Sequence, residues 1–273
     1  MRFEDIPIAV ISLDRRPDRW ELFRERAQVA GILDKAEKLS AVDAKGFVAH
    51  EHPGISLMTA YNIKNKVRRS HQEIDQGGAI GCSLSHFKAW ESLLDSSAPA
   101  LIIFEDDADV PKDFVPRMKR LLSELPAEWD MVTFYNTIYL SGVGSCKALS
   151  SDKPWSACFN LMGSHAYMLS RRGAQRLMSR AYPIEMHIDA YMAFMARMKH
   201  ITMLWNPVMQ VEQAYDDTDI PHGKQRILDV PSNMEKHGIV ALNEASIVGI
   251  MAMAAVVGGM VALAYVVKKR GVK

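Results

Sequence analysis

Leu101 to Val110 reads LIIFEDDADV: four apolar residues, then Glu105, Asp106 and Asp107 in a row, with Asp109 following after Ala108. Four consecutive apolar residues bounded by turn chemistry fit a strand covered on both faces, the habit of parallel sheets in α/β proteins. Ligands in such folds gather at the carboxyl ends of strands. Adjacent carboxylates repel one another, so the arrangement is costly unless a cation or solvent offsets it. Two readings are open at this point. In one, a hard divalent ion balances the cluster; oxygen-only ligands favour Mg²⁺ or Mn²⁺ over zinc and leave further positions to water and phosphate. In the other, the cluster is a solvated acidic loop opening the next helix, with Asp109 or Asp113 as its N-cap.

With 273 residues, 48% hydrophobic and 24% charged, the chain has room for one sizeable α/β domain or two small ones and is neither disordered nor fibrous. Its formal charge of +1 hides an asymmetry, because Lys268, Lys269, Arg270 and Lys273 fall in the last six residues. Without them 29 basic residues face 32 acidic ones. A slightly acidic body argues against a general nucleic-acid binder. Cys82, Cys146 and Cys158 are too few and too scattered for a disulfide framework or a zinc site. One Cys146 to Cys158 bridge is open to the chain, but a reducing compartment is the simpler expectation.

From Ser246 to Val267 the chain runs 22 residues without a charge, long enough to span a bilayer as a helix, and ends in a basic tail. A buried core helix seldom needs so long an uncharged run. Ala254 with Gly258 and Ala255 with Gly259 are small residues four apart, a spacing compatible with close helix pairing in lipid. The first twenty residues lack a secretory pattern, since Glu4 and Asp5 precede only a short apolar stretch broken by Asp14. The expectation is a single-pass C-terminal anchor. The basic tail favours a cytoplasmic C-terminus, whereas anchoring without a signal leaves the large N-terminal part facing the cytoplasm. A six-residue tail is easily translocated, so the second orientation is the one expected.

Along the body, Ile6 to Leu13 reads as a first strand, and Pro17 suits the first turn of a helix that stops at Gly31. Glu37 to Val42 is a candidate second strand. Residues 47 to 78 are poorly periodic and read as an insertion or mobile loop. Leu84, Phe87, Trp90, Leu93 and Leu94 mark one face of a helix with Ser83 as the expected N-cap. Further strands are expected at Met131 to Phe134, His165 to Leu169 and Ile201 to Trp205. Helices are expected at Asp113 to Glu124, Arg171 to Ala181 and His187 to Lys199, with an irregular arm over 212 to 244. Strands alternating with helices indicate an α/β layered fold.

Five stretches together resemble glycosyltransferase family 25, the lipooligosaccharide-type galactosyltransferases and collagen galactosyltransferase domains: IAVISLDRRPDRW (8 to 20), AVDAKG (41 to 46), GAIGCSLSHFKAWESLL (78 to 94), LIIFEDDADV (101 to 110) and GSHAYMLSRRGAQRLM (163 to 178). The resemblance departs from the family at Phe104, where Leu is common, and at Ala79, where an acidic residue is usual. It covers most of residues 6 to about 220. It implies a catalytic domain over 1 to 220; the linker at 221 to 245, the membrane helix at 246 to 267 and the tail at 268 to 273, read from the uncharged run, are not part of the family domain. It also implies a GT-A-like nucleotide-sugar fold, a UDP-sugar donor, transfer of galactose or glucose with inversion, and a glycan, lipid-linked or protein hydroxyl acceptor.

In that frame the acidic cluster matches the metal and diphosphate motif. Asp107 and then Asp106 are the expected ligands of Mn²⁺ or Mg²⁺, and Glu105 contacts the nucleotide sugar or orients the loop. Asp14, Arg15 and Arg19 follow the first strand where a nucleotide would lie, and a guanidinium suits phosphate and base contacts; a solvated helix start is the plain alternative. Ser85 and His86 sit beside a glycine-rich turn near the diphosphate or acceptor, or His86 simply caps a helix. No acidic partner is evident for a Ser/His hydrolase. Asp189 is the leading candidate for the general base that takes the acceptor proton, with Glu185 in reserve; its plain alternative is a helix N-cap. His222 is a candidate late metal ligand or a surface histidine, and Trp129, Trp155 and Trp205 read as core. A catalytically silent scaffold is the alternative function. A methyltransferase reading lacks a glycine fingerprint after the first strand.

Overall fold

The computed structural model describes residues 1–135, 146–151, 154–159, 161 and 163–214. Contacts divide the chain into two units, Met1–Lys66 with His71–His222, and Val67–Ser70 with Gly223–Lys273; the description below is of the first. The expected linker, membrane helix and basic tail, and His222, lie outside the described residues. No helix among the described residues is long and apolar enough to cross a membrane.

In chain order the elements are β1 (Ile8–Ser12), α1 (Pro17–Val29), β2 (Ala36–Ser40), α2 (Leu57–Asn65), α3 (Gly77–Asp95), β3 (Ala100–Glu105), β4 (Ala108–Asp109), α4 (Phe114–Ser123), β5 (Met131–Thr133), β6 (Cys146–Ala148), β7 (Ser156–Cys158), β8 (Ala166–Ser170), α5 (Arg171–Met178), α6 (Ile188–Arg197), β9 (Met203–Trp205) and β10 (Glu212–Gln213). Eight strands form one sheet in the order β2-β1-β3-β8-β5-β9-β7-β6, and β4 pairs with β10 in a separate ribbon. This is the expected α/β class, with one correction: the sheet is mixed. β1 is parallel to β2 and β3, and β5 to β9, but β8 runs antiparallel to both β3 and β5. The apolar run of β3 reports burial on both faces, and either direction of pairing satisfies that.

Alternation sorts the side chains. Ala9, Ile11, Leu101, Ile103, Tyr167 and Leu169 join one core layer with Phe87, Trp90 and Leu93 of α3 and Leu177 of α5. Ile8, Val10, Ile102, Phe104 and Met168 join the other with Phe23 of α1 and Phe114, Met118 and Leu121 of α4. The period of two along each strand thus divides the helices between the two faces. From β1 the chain passes by α1 on one face to β2, and by α3 on the other face to β3. The gap between the carboxyl ends of β1 and β3 is therefore a topological switch point, the place where such sheets take ligands.

Three local expectations change. α3 begins at Gly77, with Gln76 as N-cap, so Ser83 is interior and its hydroxyl donates to the Ala79 carbonyl. The glycines here do not stop the helix; Gly81 lets it approach residues 42 to 44, where an added Cβ would lie 2.6 Å from the Val42 carbonyl oxygen. Residues 47 to 78 hold α2, capped by Ser56, rather than a structureless insertion. Cys146 and Cys158 are directly opposed across β6 and β7 and form a disulfide, where reduced cysteines were the simpler expectation. Asp109 lies in β4 opposite Glu212, and Asp113 occupies the N-cap of α4 without a side-chain capping bond. Trp155 is fully buried, and Trp129 and Trp205 pack against the core, as expected.

A buried carboxylate fixes α5 to the start of β5. Asp130 accepts from Arg172 Nε at 2.7 Å, Arg176 Nη1 at 2.6 Å and the Thr202 amide at 2.8 Å. Asp130→Ala removes three charge-assisted bonds and strands the Thr202 amide; it is expected to lower unfolding free energy by on the order of 3 kcal/mol, read as a shifted urea midpoint at unchanged slope.

Candidate active site

Glu105 is the last residue of β3, and its amide donates to the His165 carbonyl at 2.9 Å, which draws the start of β8 alongside. Ser164 Oγ consequently donates to Glu105 Oε1 at 2.6 Å. His86, fully buried on α3, places Nε2 3.3 Å from the same oxygen and Nδ1 2.8 Å from the Tyr167 hydroxyl, which also accepts from Trp90 Nε1 at 2.8 Å. Indole N–H only donates. With neutral imidazole the network assigns the Tyr167 proton to Nδ1 and the His86 proton to Nε2, facing Glu105. Burial pushes the Glu105 carboxyl up, but the hydrogen bonds from His86 and Ser164 outweigh it and hold the group well below the usual carboxylate range.

The next two carboxylates meet the opposite side of the crevice. Arg19, on the first turns of α1, places Nη2 2.8 Å from Asp106 Oδ1 and 3.0 Å from Asp107 Oδ2. Gln213 Nε2 donates to Asp107 Oδ2 at 3.0 Å, and the Ala214 amide donates to the Asp107 carbonyl. Asp107 Oδ1 is buried with no hydrogen-bond partner. Burial pushes Asp106 up to about 6 despite the Arg19 charge, and burial with the neighbouring Glu105 charge also raises Asp107.

The other expected site residues separate into groups. Asp189, on the first turn of α6, accepts from the Gly163 amide at 2.8 Å through Oδ2 and from the Ala190 amide at 2.7 Å through Oδ1. It lies close enough for its charge, after burial and Glu105, to raise the Cys82 thiol. Asp189 thus belongs with Glu105 through the Gly163–Ser164 turn. Glu185 instead borders a separate cavity of about 340 Å³ lined by Phe87, Ile188, Tyr191 and Met195. Ser85 is buried, accepts from the Val42 amide at 2.8 Å and donates to the Gly81 carbonyl at 2.7 Å, so it ties the 41 to 43 loop to α3. Asp43 in that loop pairs with Arg15 at 2.7 Å, and Asp14 accepts from Ser40 at 3.0 Å and Lys38 at 2.9 Å. Asp14 and Arg15 therefore edge the crevice, while Arg19, Glu105, Asp106 and Asp107 form its floor.

Cys82, Ser164, Tyr167, Trp90 and Gln213 were not anticipated as site residues. Ser164 carried a signal, being a polar residue just before a buried strand, and Cys82 with His86 share a helix face by their i, i+4 spacing. Gln213 carried none, because only the β4–β10 pairing brings it to Asp107.

An α/β sheet with a carboxylate floor at its switch point defines a class of ligand-binding domain, and comparison with known proteins narrows it. The model of glycosyltransferase family 25 (LPS biosynthesis protein) matches residues 5–192, and the chain belongs to this family. An inactive glycosyltransferase 25 family member 3 from Homo sapiens is 32% identical over 46% of this chain and 21% of its own length. A glycosyltransferase 25 family member from Drosophila pseudoobscura pseudoobscura is 28% identical over 65% of this chain and 28% of its own. Procollagen galactosyltransferase 1 from Danio rerio is 26% identical over 71% of this chain and 32% of its own. The chain therefore spans about a fifth to a third of the length of these relatives.

The raised Asp106 carboxyl has a stability consequence. A folded-state value of about 6 against an ordinary value of 3.8 means that its cost is absent below about pH 4 and grows as pH rises towards 6. Asp106→Asn is expected to stabilise the chain by up to about 2 kcal/mol at pH 8 and by nothing measurable at pH 4, read from urea unfolding at the two pH values.

Proposed function

We propose that the chain is a membrane-anchored glycosyltransferase with a GT-A-like donor site, moving galactose or glucose from a UDP-sugar to a glycan, lipid-linked or protein hydroxyl, with inversion. The observation that carries the reading is the carboxylate floor at the β1/β3 switch point, with Asp107 Oδ1 buried and unpartnered beside Asp106. An orphan carboxylate oxygen next to a second carboxylate fits a hard divalent ion. Asp107 and Asp106 would hold it, with Arg19 sharing or yielding the position. Bound Mn²⁺ or Mg²⁺ supplies charge stabilisation to the departing diphosphate.

The chain's own residues do the rest. Arg19, released from one aspartate, reaches the diphosphate with a planar cationic fork. Glu105, kept ionised and aimed by His86 and Ser164, accepts from a sugar hydroxyl. The acceptor oxygen attacks the anomeric carbon opposite the leaving group, the bond to the diphosphate breaks, and the acceptor proton passes to Asp189. Both Asp189 oxygens already accept an amide proton, and each retains a lone pair for this role.

A second reading, a silent family member acting as a scaffold, is supported by the closed Arg19 pairing and by a relative named inactive. UDP-sugar hydrolysis by the purified full-length chain separates the two. The transferase reading expects turnover that needs Mn²⁺ or Mg²⁺, falls about 10²- to 10³-fold in Asp107→Ala and about 10²- to 10⁴-fold in Asp189→Asn. Metal-independent turnover unaffected by Asp107→Ala would remove the mechanism, and UDP-sugar binding without turnover favours the scaffold.

A further inference from the structure

Cys82, His86 and Glu105 each offer one ligand atom, and the three atoms lie within 4.8 Å of one another. The cysteines are too scattered in sequence for a zinc site of their own. The fold changes this by bringing the end of β3 against one face of α3, where Cys82 and His86 stand one turn apart. The result is a mixed sulfur, nitrogen and oxygen set, the chemistry that suits Zn²⁺ and contrasts with the oxygen-only pair Asp106 and Asp107.

Two further observations bear on this cluster. The far ring nitrogen of His86 is held by the Tyr167 hydroxyl at 2.8 Å, the kind of outer contact that orients a metal-binding imidazole. Glu105 is fixed by Ser164 and its side chain is 23% exposed, so the cluster is built from inside and reachable from solvent. We propose that Cys82 Sγ, His86 Nε2 and Glu105 form a second cation site, selective for a thiophilic divalent ion of the Zn²⁺ class. The Cys82 proton leaves to solvent as the sulfur coordinates. His86 moves its proton to Nδ1 and donates to the Tyr167 oxygen; the Tyr167 hydroxyl proton rotates away from Nδ1, and the two lone pairs of that oxygen serve His86 and Trp90. Occupation withdraws Glu105 from His86, so the ion opposes any role of Glu105 in donor binding. The site itself does not depend on the transferase reading.

Titration of the metal-free full-length chain with Co²⁺ tests it. The expected result is a tetrahedral visible spectrum with a thiolate-to-cobalt charge-transfer band, displaced by Zn²⁺, absent in Cys82→Ser and retained in Asp107→Asn. Glu105→Gln is expected to weaken Zn²⁺ binding by more than about tenfold. A second measurement needs no variant. Cys82 is the free cysteine, Cys146 and Cys158 being joined to each other, and Zn²⁺ but not Mg²⁺ should slow its alkylation by about tenfold or more, followed by mass spectrometry. A cobalt spectrum without the thiolate band, a band lost in Asp107→Asn, or unchanged alkylation with Zn²⁺ would overturn the proposal.

Discussion

Three consecutive carboxylates leave the end of a fully buried strand, and the molecule is arranged around the cost of keeping them there. Water solvates such groups well; a sheet edge under two helices does not. Each carboxylate therefore has its own compensation. Glu105 turns towards α3, where His86 and Ser164 stabilise its ionised form. Asp106 and Asp107 turn towards α1, where Arg19 spans both. Burial pushes all three carboxyls up, and the partners set the difference in outcome: His86 and Ser164 hold the first group below the usual carboxylate range, while Arg19 leaves the second pair above it. Residues adjacent in sequence thus acquire distinct chemistry because β3 ends at Glu105, and the chain beyond it turns both following aspartates towards α1.

This division explains how one short segment can serve two kinds of ligand. The α1 side presents a guanidinium and an orphan aspartate oxygen, suited to a diphosphate with a hard cation. The α3 side presents a thiol, an imidazole and a glutamate, backed by buried phenol and indole groups. β8 stands behind both, since its antiparallel pairing with β3 delivers Ser164 and His165 to the strand end and leads back through Gly163 to Asp189. The Arg19 bridge is the feature on which the active and silent readings diverge. It offsets part of the floor's negative charge, and a donor must share or open it.

Much of this was legible in the residues, and the parts that were not share a cause. β1, the helix started by Pro17, the Phe87–Trp90 face of α3 and the strand before Glu105 all follow from local periodicity and turn chemistry, which short segments encode by themselves. The acidic strand end was legible as a candidate site for the same reason. The direction of β8 was not, because an apolar strand reads alike in either orientation. The start of α3 was misplaced because glycines at 77, 78 and 81 read as a turn, whereas Gly81 is required for close packing on Val42. The partners of the carboxylates were hidden for a stronger reason. Arg19, Ser164 and Gln213 are distant in sequence from 105 to 107, and only strand pairing and the α1 crossover bring them together. Ser85 shows what a motif leaves out: its place in a family motif suggested ligand contact, and the fold adds that its hydroxyl is engaged by two backbone groups.

The central claim is that Asp107, with Asp106, holds a divalent ion against a nucleotide diphosphate at the β1/β3 switch point. Anomalous diffraction from crystals of the full-length chain grown with UDP and Mn²⁺ tests it directly. The account predicts a manganese peak in direct contact with Asp107 and with diphosphate oxygens, and Arg19 withdrawn from at least one aspartate. A bound diphosphate with no manganese at Asp107, and Arg19 still closed on both carboxylates, would contradict it.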